Sequence, residues 1–251
     1  MDRVARLLQH ADVEREIGLE IGPLDKPLVE RRAGRRIYYC DYASREFLRE
    51  KSSANPNVDI DRIPEIDFVT TQMHTEVFGG MRFDYILASH VIEHVPDLLG
   101  WLGHLLNVLN TGGRIILAVP DRRYTFDYLR PVSTLGPMLE AQFEKRSRPA
   151  FGQVYDAFSK AVKEDTELCW KQPAYPGLLE PYYTKDFAMR LAKDSRDGDG
   201  YHDCHCWVFT YESFLEIVAE AREMGTLDAQ VVASSPPVYG ANEFHVVLGR
   251  P

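Results

Sequence analysis

The sequence predicts an α/β protein built on one doubly wound, largely parallel sheet. Three observations carry that expectation. Apolar, strand-like runs alternate with helical segments from Glu16 to Pro120, the signature of parallel strands joined by crossover helices. Those runs stop at glycine or at polar residues, as strands do where a ligand approaches a sheet edge. Two last runs, AQVVASS (229–235) and EFHVVLGR (243–250), are joined only by PPVYGAN, too short for a crossover, so they close as an antiparallel hairpin.

Taken in order, Asp2 to Glu16 mixes Val4, Leu7, Leu8 and Val13 with charges and suits a short amphipathic helix. EIGLEIGP (16–23) is a buried strand ending at a tight turn. A helix is expected from Leu24 to Arg32 despite Pro27. RRIYYCDYAS (35–44) is the second strand, ending on Asp41, and a helix over Ala43 to Lys51 follows, with Ser44 and Glu46 near its start. IDFVT (66–70) is a short third strand. FDYILASHVIEHV (83–95) begins as a strand and passes into a helix near His90. From Asp97 to Leu109 the spacing of Leu98, Leu99, Leu102, Leu105, Leu106 and Leu109 buries one helix face. TGGRIILAVP (111–120) gives a two-glycine turn and an apolar strand. Residues 121–205 lose the alternation and are too long for an ordinary connection, so they are expected to be a helical or irregular lid inserted in a single domain spanning 1–251. TYESFLEIVAEAREMG (210–225) restores helical periodicity, with Thr210 and Ser213 as caps.

Composition narrows the function. A chain of 251 residues with 45% hydrophobic content builds one packed domain. Its formal charge of −9 argues against a protein that coats nucleic acid, and the clusters at Arg31–Arg36 and Lys145–Arg148 read as solvated turns. Four cysteines make no disulfide framework. No apolar run approaches the roughly 20 residues that span a bilayer, and no signal-peptide core precedes the domain, so a cytoplasmic protein without a membrane partner is expected.

In an open parallel sheet, ligands bind beyond the carboxyl ends of the strands. Three such ends carry suitable groups. Gly22 allows close backbone approach, with Glu20 two residues before it. Asp41 is placed to accept hydrogen bonds from two ribose hydroxyls. Ser89 and His90 stand where the fourth strand breaks. Structural roles compete with each: Glu20 as a partner of an arginine, Asp41 as a helix cap, His94 as a packing histidine.

These residues resemble class I methyltransferases that use S-adenosylmethionine, of the small-molecule, type 11-like group. LEIGP matches the first motif, Asp41 the ribose-binding acid, and FDYILASHVIEHV with LNTGGRIILAVP the region of the fourth and fifth strands. The resemblance implies a Rossmann-like, seven-stranded sheet with an antiparallel last strand. It also implies S-adenosylmethionine as donor, S-adenosylhomocysteine as product, and a cofactor site at Glu20, Gly22, Pro23, Asp41, Gln72, Met73, Ser89 and His90. The chain departs from the pattern after Gly22, where Pro23, Leu24 and Asp25 replace further glycines, and at Gln72 or Met73, where the group often has an acid.

PDRRYTFDYLRP (120–131) leaves the fifth strand at the same edge, so Asp121, Arg122, Tyr124, Asp127 and Arg130 are candidates for a polar acceptor. GYHDCHCWVFT (200–210) resembles a D-x-H-x-W-x-F-T element of related methyltransferases, some found alongside polysaccharide biosynthesis enzymes. His205, oriented by Asp203, is the candidate general base, with His90 beside it, and His202 and Trp207 join the acceptor site. His202, Cys204, His205 and Cys206 are too close in sequence to surround one ion, so no metal site is expected. The expected function is O-methylation of a small molecule or a sugar or glycan hydroxyl, with nucleic acid disfavoured. The alternatives are a nicotinamide oxidoreductase, for which G-x-G-x-x-G is missing, and a non-catalytic nucleotide-binding module.

Overall fold

The computed structural model describes residues 2–171, 179–198 and 200–251. Seven strands form one sheet: β1 (Ile17–Ile21), β2 (Arg36–Asp41), β3 (Phe68–Val69), β4 (Phe83–Ser89), β5 (Leu109–Pro120), β6 (Gln230–Ser235) and β7 (Glu243–Gly249). Their order is β3-β2-β1-β4-β5-β7-β6. All neighbours are parallel except β7, which runs antiparallel to both β5 and β6. The expected seven-stranded sheet with its antiparallel last strand is therefore present.

Alternation along the central strands sorts side chains to two faces. In β5, Ile115, Leu117 and Val119 join the larger core with α3 (Leu98–Asn107) and α8 (Tyr211–Glu223). Ile116 and Ala118 face the opposite core, with Leu7 of α1 (Arg3–Leu8), Tyr39 and Tyr85. A side chain at Gly18 would lie 2.1 Å from the Tyr85 ring, so glycine there lets that ring cross beneath β1. Helix α2 (Arg45–Ser52) is capped by Ser44, α3 by Asp97 and α8 by a Thr210–Ser213 capping box.

Two helical expectations fail. Leu24 to Arg32 forms no helix. The buried Glu20 carboxylate accepts the amides of Leu28 (2.7 Å) and Val29 (3.1 Å), which pins this proline-containing segment as a loop. After β4 the chain does not continue smoothly into a helix. His90 takes a left-handed φ of 54°, and only a short 3-10 turn, Ile92–His94, follows.

Between β5 and α8 lie α4 (Leu135–Phe143), α5 (Phe151–Lys160), α6 (Thr166–Lys171) and α7 (Lys185–Asp197). Val154 and Ala157 of α5 meet Ala192 of α7 and Cys204 in a separate small core. Residues 172–178 and 199 of the expected lid lie outside the described residues. Among the described residues, no helix is long and apolar enough to cross a membrane.

Candidate active site

The strand order reverses between β1 and β4, and the crevice beyond their carboxyl ends is where this sheet type takes ligands. Gly22, exposed just after β1, has φ +67°, and a Cβ there would sit 3.0 Å from Val91 Cγ2. Leu24, in place of a further glycine, is itself left-handed at φ 43°, so the turn keeps its shape at the cost of local strain. Pro23 is buried beneath this turn. Burial pushes the Glu20 carboxyl up to about 7, against the two amides that it accepts.

Asp41 ends β2 and is almost fully buried, accepting the Tyr42 amide at 2.7 Å. Burial pushes its carboxyl up to about 6, because the backbone bonds it accepts and the charge of Lys51 only partly replace water. Such a carboxylate is suited to two ribose hydroxyl donors. Gln72 is exposed just beyond β3, whereas the Met73 side chain packs in the larger core.

Beyond β4 the chemistry concentrates on one carboxylate. Glu93 is fully buried, and neither of its side-chain oxygens has a hydrogen-bond partner. Three imidazoles surround it. Glu93 Oε1 lies 3.7 Å from His90 Nδ1, 4.0 Å from His94 Nε2 and 3.9 Å from His205 Nε2. Each histidine has its other nitrogen on a second carboxylate: His90 Nε2 on Glu243 (2.8 Å), His94 Nδ1 on Asp203 (3.1 Å) and His205 Nδ1 on Asp127 (2.5 Å).

Those outer carboxylates are ionised. Burial opposes ionisation of Glu243, but His245, His90 and Arg3 hold it far below the usual range. Burial likewise opposes Asp127 and Asp203, yet His205 with Arg130, and His94, keep them low. An ionised carboxylate only accepts, so the three N–H groups point outward and the remaining nitrogens face Glu93. Burial by itself would lower His94, but Asp203 and Glu93 hold it above its ordinary value.

Backbone bonds bring the two halves of this cluster together. The Glu93 carbonyl accepts the amides of Cys206 (2.6 Å) and Trp207 (3.2 Å), and the Trp207 indole donates to the Val95 carbonyl at 2.7 Å. Glu243 reaches the cluster because antiparallel β7 starts opposite Pro120, at the edge where the parallel strands end.

Several sequence-based assignments are corrected. Asp203 orients His94, and the carboxylate that orients His205 is Asp127, itself fixed by Arg130 at 2.7 Å. Asp127 and Arg130 are buried behind His205, which places them as positioning residues and not as acceptor contacts. Asp121 is fully buried on Arg123 and the Tyr211 amide. Trp207 belongs to the core at 2% exposure and has no free face for an acceptor. His202 pairs with Asp194 of α7. Arg122 donates to the Tyr128 carbonyl, and Tyr124 stacks on Trp170 with ring centres 4.1 Å apart. Ser89 accepts from Arg3 at 2.6 Å.

Sequence reasoning missed Glu93 and Glu243 and read His94 as packing. The only local signal was three ionisable side chains within five residues, in HVIEH. Among the described residues, Glu93, His94 and His205 offer three donor atoms within 4.8 Å of one another.

A family model described as a methyltransferase domain matches residues 1–221. The chain is 29% identical over 106 residues to the tRNA N(3)-methylcytidine methyltransferase trm141 of Schizosaccharomyces pombe. That match takes in 40% of this chain and 41% of the relative, so the chain spans about two fifths of the relative's length. Among solved structures, the CcbJ methyltransferase from Streptomyces caelestis aligns at TM-score 0.49 and 12% identity, over 99% of this chain and 94% of that one. A Rhodobacter sphaeroides protein described as a Zn-dependent alcohol dehydrogenase aligns at TM-score 0.52 and 14% identity, over 100% and 90%. At such identities the likeness is one of fold.

Proposed function

The chain belongs to the methyltransferase-domain family, and on that premise we propose that it carries a methyl group from S-adenosylmethionine to a hydroxyl of a small molecule, sugar or glycan. Gly22 and the strained turn after it would approach the methionine portion, Asp41 the ribose hydroxyls, and Gln72 the adenine side. When bound, the donor supplies a methyl group on a sulfonium that departs as a neutral thioether. Gly22 leaves room that a side chain would fill, and Asp41 keeps a desolvated carboxylate short of donors; both features fit that group.

One observation carries the choice of a hydroxyl acceptor. His90 stands at the switch point with Nε2 locked by Glu243 and Nδ1 turned toward the buried cluster, half-exposed where an acceptor enters. A hydroxyl becomes a good nucleophile by losing its proton as it attacks, and a held imidazole takes that proton. Glu243 fixes the ring tautomer and stabilises the imidazolium that results. Helices α4–α7 and the segment 200–210 would form the acceptor-side wall, as a lid over this edge.

The test is methyl transfer from labelled donor across a panel of glycosides, small hydroxylated molecules and bulk tRNA. The reading expects transfer to a hydroxyl and a fall of about 10²–10⁴-fold in His90→Ala, the usual worth of a general base. A second reading takes its support from the relative that modifies tRNA: a base nitrogen as acceptor. The net charge of −9 weighs against it, since phosphate contacts need basic surface. Transfer to tRNA and to none of the hydroxyl acceptors would overturn the first reading in favour of the second.

A further inference from the structure

We propose that Glu93, His94 and His205 form a binding site for one divalent transition-metal cation of the zinc class, at the floor of the acceptor pocket. This deepens the hydroxyl-methylation reading and rests on it for the cation's role, though not for its binding.

The argument starts from Glu93. A fully buried carboxylate with both oxygens unpartnered is costly unless a positive charge sits on it. His94 and His205 each donate Nδ1–H to an outer aspartate, so each directs Nε2 at Glu93. If neutral, these nitrogens present lone pairs to an anion. If protonated, their N–H groups point across 4.0 and 3.9 Å, too far for hydrogen bonds. A shared cation resolves both cases. With metal–ligand bonds of about 2.1 Å, neighbouring ligand atoms lie roughly 3.0–3.5 Å apart, so each group would move inward by only about half an ångström.

The outer residues match what metal sites require. A ligating histidine usually gives its second N–H to a carboxylate, which fixes the ring and raises its basicity. Asp203 does this for His94, and Asp127 for His205, with Arg130 holding Asp127 in turn. Two imidazoles and one carboxylate suit zinc, manganese, iron or nickel, whereas magnesium and calcium prefer oxygen ligands. Three protein ligands leave a coordination position open, and His90 Nδ1, 3.7 Å from Glu93, borders it. An acceptor hydroxyl bound there would be acidified by the cation and would pass its proton to His90.

The test is titration of the tag-free, chelator-stripped full chain with Zn²⁺ and, for its visible spectrum, Co²⁺, without donor or acceptor. One ion per chain is expected, with Mg²⁺ failing to compete. Glu93→Gln, nearly isosteric, and His94→Ala, at a half-exposed position, should each weaken binding by at least about 100-fold. Asp203→Asn, which removes only the outer partner, should weaken it by about 10–100-fold. Circular dichroism identifies any variant that fails to fold, and the other variants then decide. Absence of stoichiometric binding, binding unchanged in folded Glu93→Gln and His94→Ala, or loss only on replacing Cys204 and Cys206 would overturn the proposal. Because the readout needs no methyl transfer, ion binding with no hydroxyl methylation would sink the functional reading alone, and the converse would sink this one alone.

Discussion

His205 Nδ1 lies 2.5 Å from an Asp127 oxygen, across 78 residues of sequence, and the other Asp127 oxygen accepts from Arg130. The aspartate thus carries two loads at once. It fixes the direction in which His205 presents Nε2, and it neutralises a guanidinium that is only 4% exposed.

Removing Asp127 should therefore cost both stability and activity. Asp127→Ala leaves Arg130 charged and buried without its partner, a loss of about 3–5 kcal/mol for a broken buried pair. Urea unfolding of Asp127→Ala beside Arg130→Met, Asp127→Ala checks this. The double variant should recover part of the loss, while methyl transfer stays low in both because His205 is unheld. An unfolding midpoint unchanged in the single variant would contradict the assignment.

Glu20 predicts a pH dependence of folding. Burial raises its carboxyl to about 7, above the roughly 4.3 of an unfolded chain, so the folded state holds this proton more tightly. Stability is then highest below the unfolded value and falls as pH rises toward 7, by on the order of 3 kcal/mol if Glu20 acted alone. Asp41, raised to about 6, adds a fall of the same sign over a lower window. Glu20→Gln should flatten the upper part of this slope in urea melts between pH 5 and 8. A slope identical to wild type would remove Glu20 as its source.

Gly22→Ala tests the donor turn. Its φ of +67° costs an L-residue about 1–2 kcal/mol, and the new methyl group would press on Val91 Cγ2 at 3.0 Å. Weaker S-adenosylhomocysteine binding with a modest drop in melting temperature is expected. Equal binding would mean that the backbone at Gly22 does not approach the ligand.

The parallel sheet was legible because each strand carries its own local record: a β-rich run, a stop at Gly22, Asp41 or Ser89, and a helix cap at Ser44, Asp97 or Thr210. The site was legible only as far as those strand ends. The Leu24–Arg32 helix was mispredicted because Glu20, outside that segment, takes up its amides. Asp203 was paired with His205 on proximity in sequence, whereas the 203–207 segment folds back on Glu93 and turns Asp203 toward His94. Glu93 itself looked like an ordinary helical glutamate. Only the convergence of β4, the 120–130 segment and the 203–207 segment reveals it as the buried centre of three histidines.

The most direct test is calorimetric titration of S-adenosylhomocysteine into wild type and Asp41→Ala at pH 8, repeated at pH 5. The account predicts one site per chain, tighter at pH 8 because Asp41, with its carboxyl near 6, is then ionised and accepts the ribose hydroxyls. Asp41→Ala should bind about 10–100-fold more weakly and lose most of the pH step, in line with hydrogen bonds to a charged group. Absence of binding to wild type, or equal affinity in the variant at both pH values, would contradict the donor site at the β1, β2 and β4 edge.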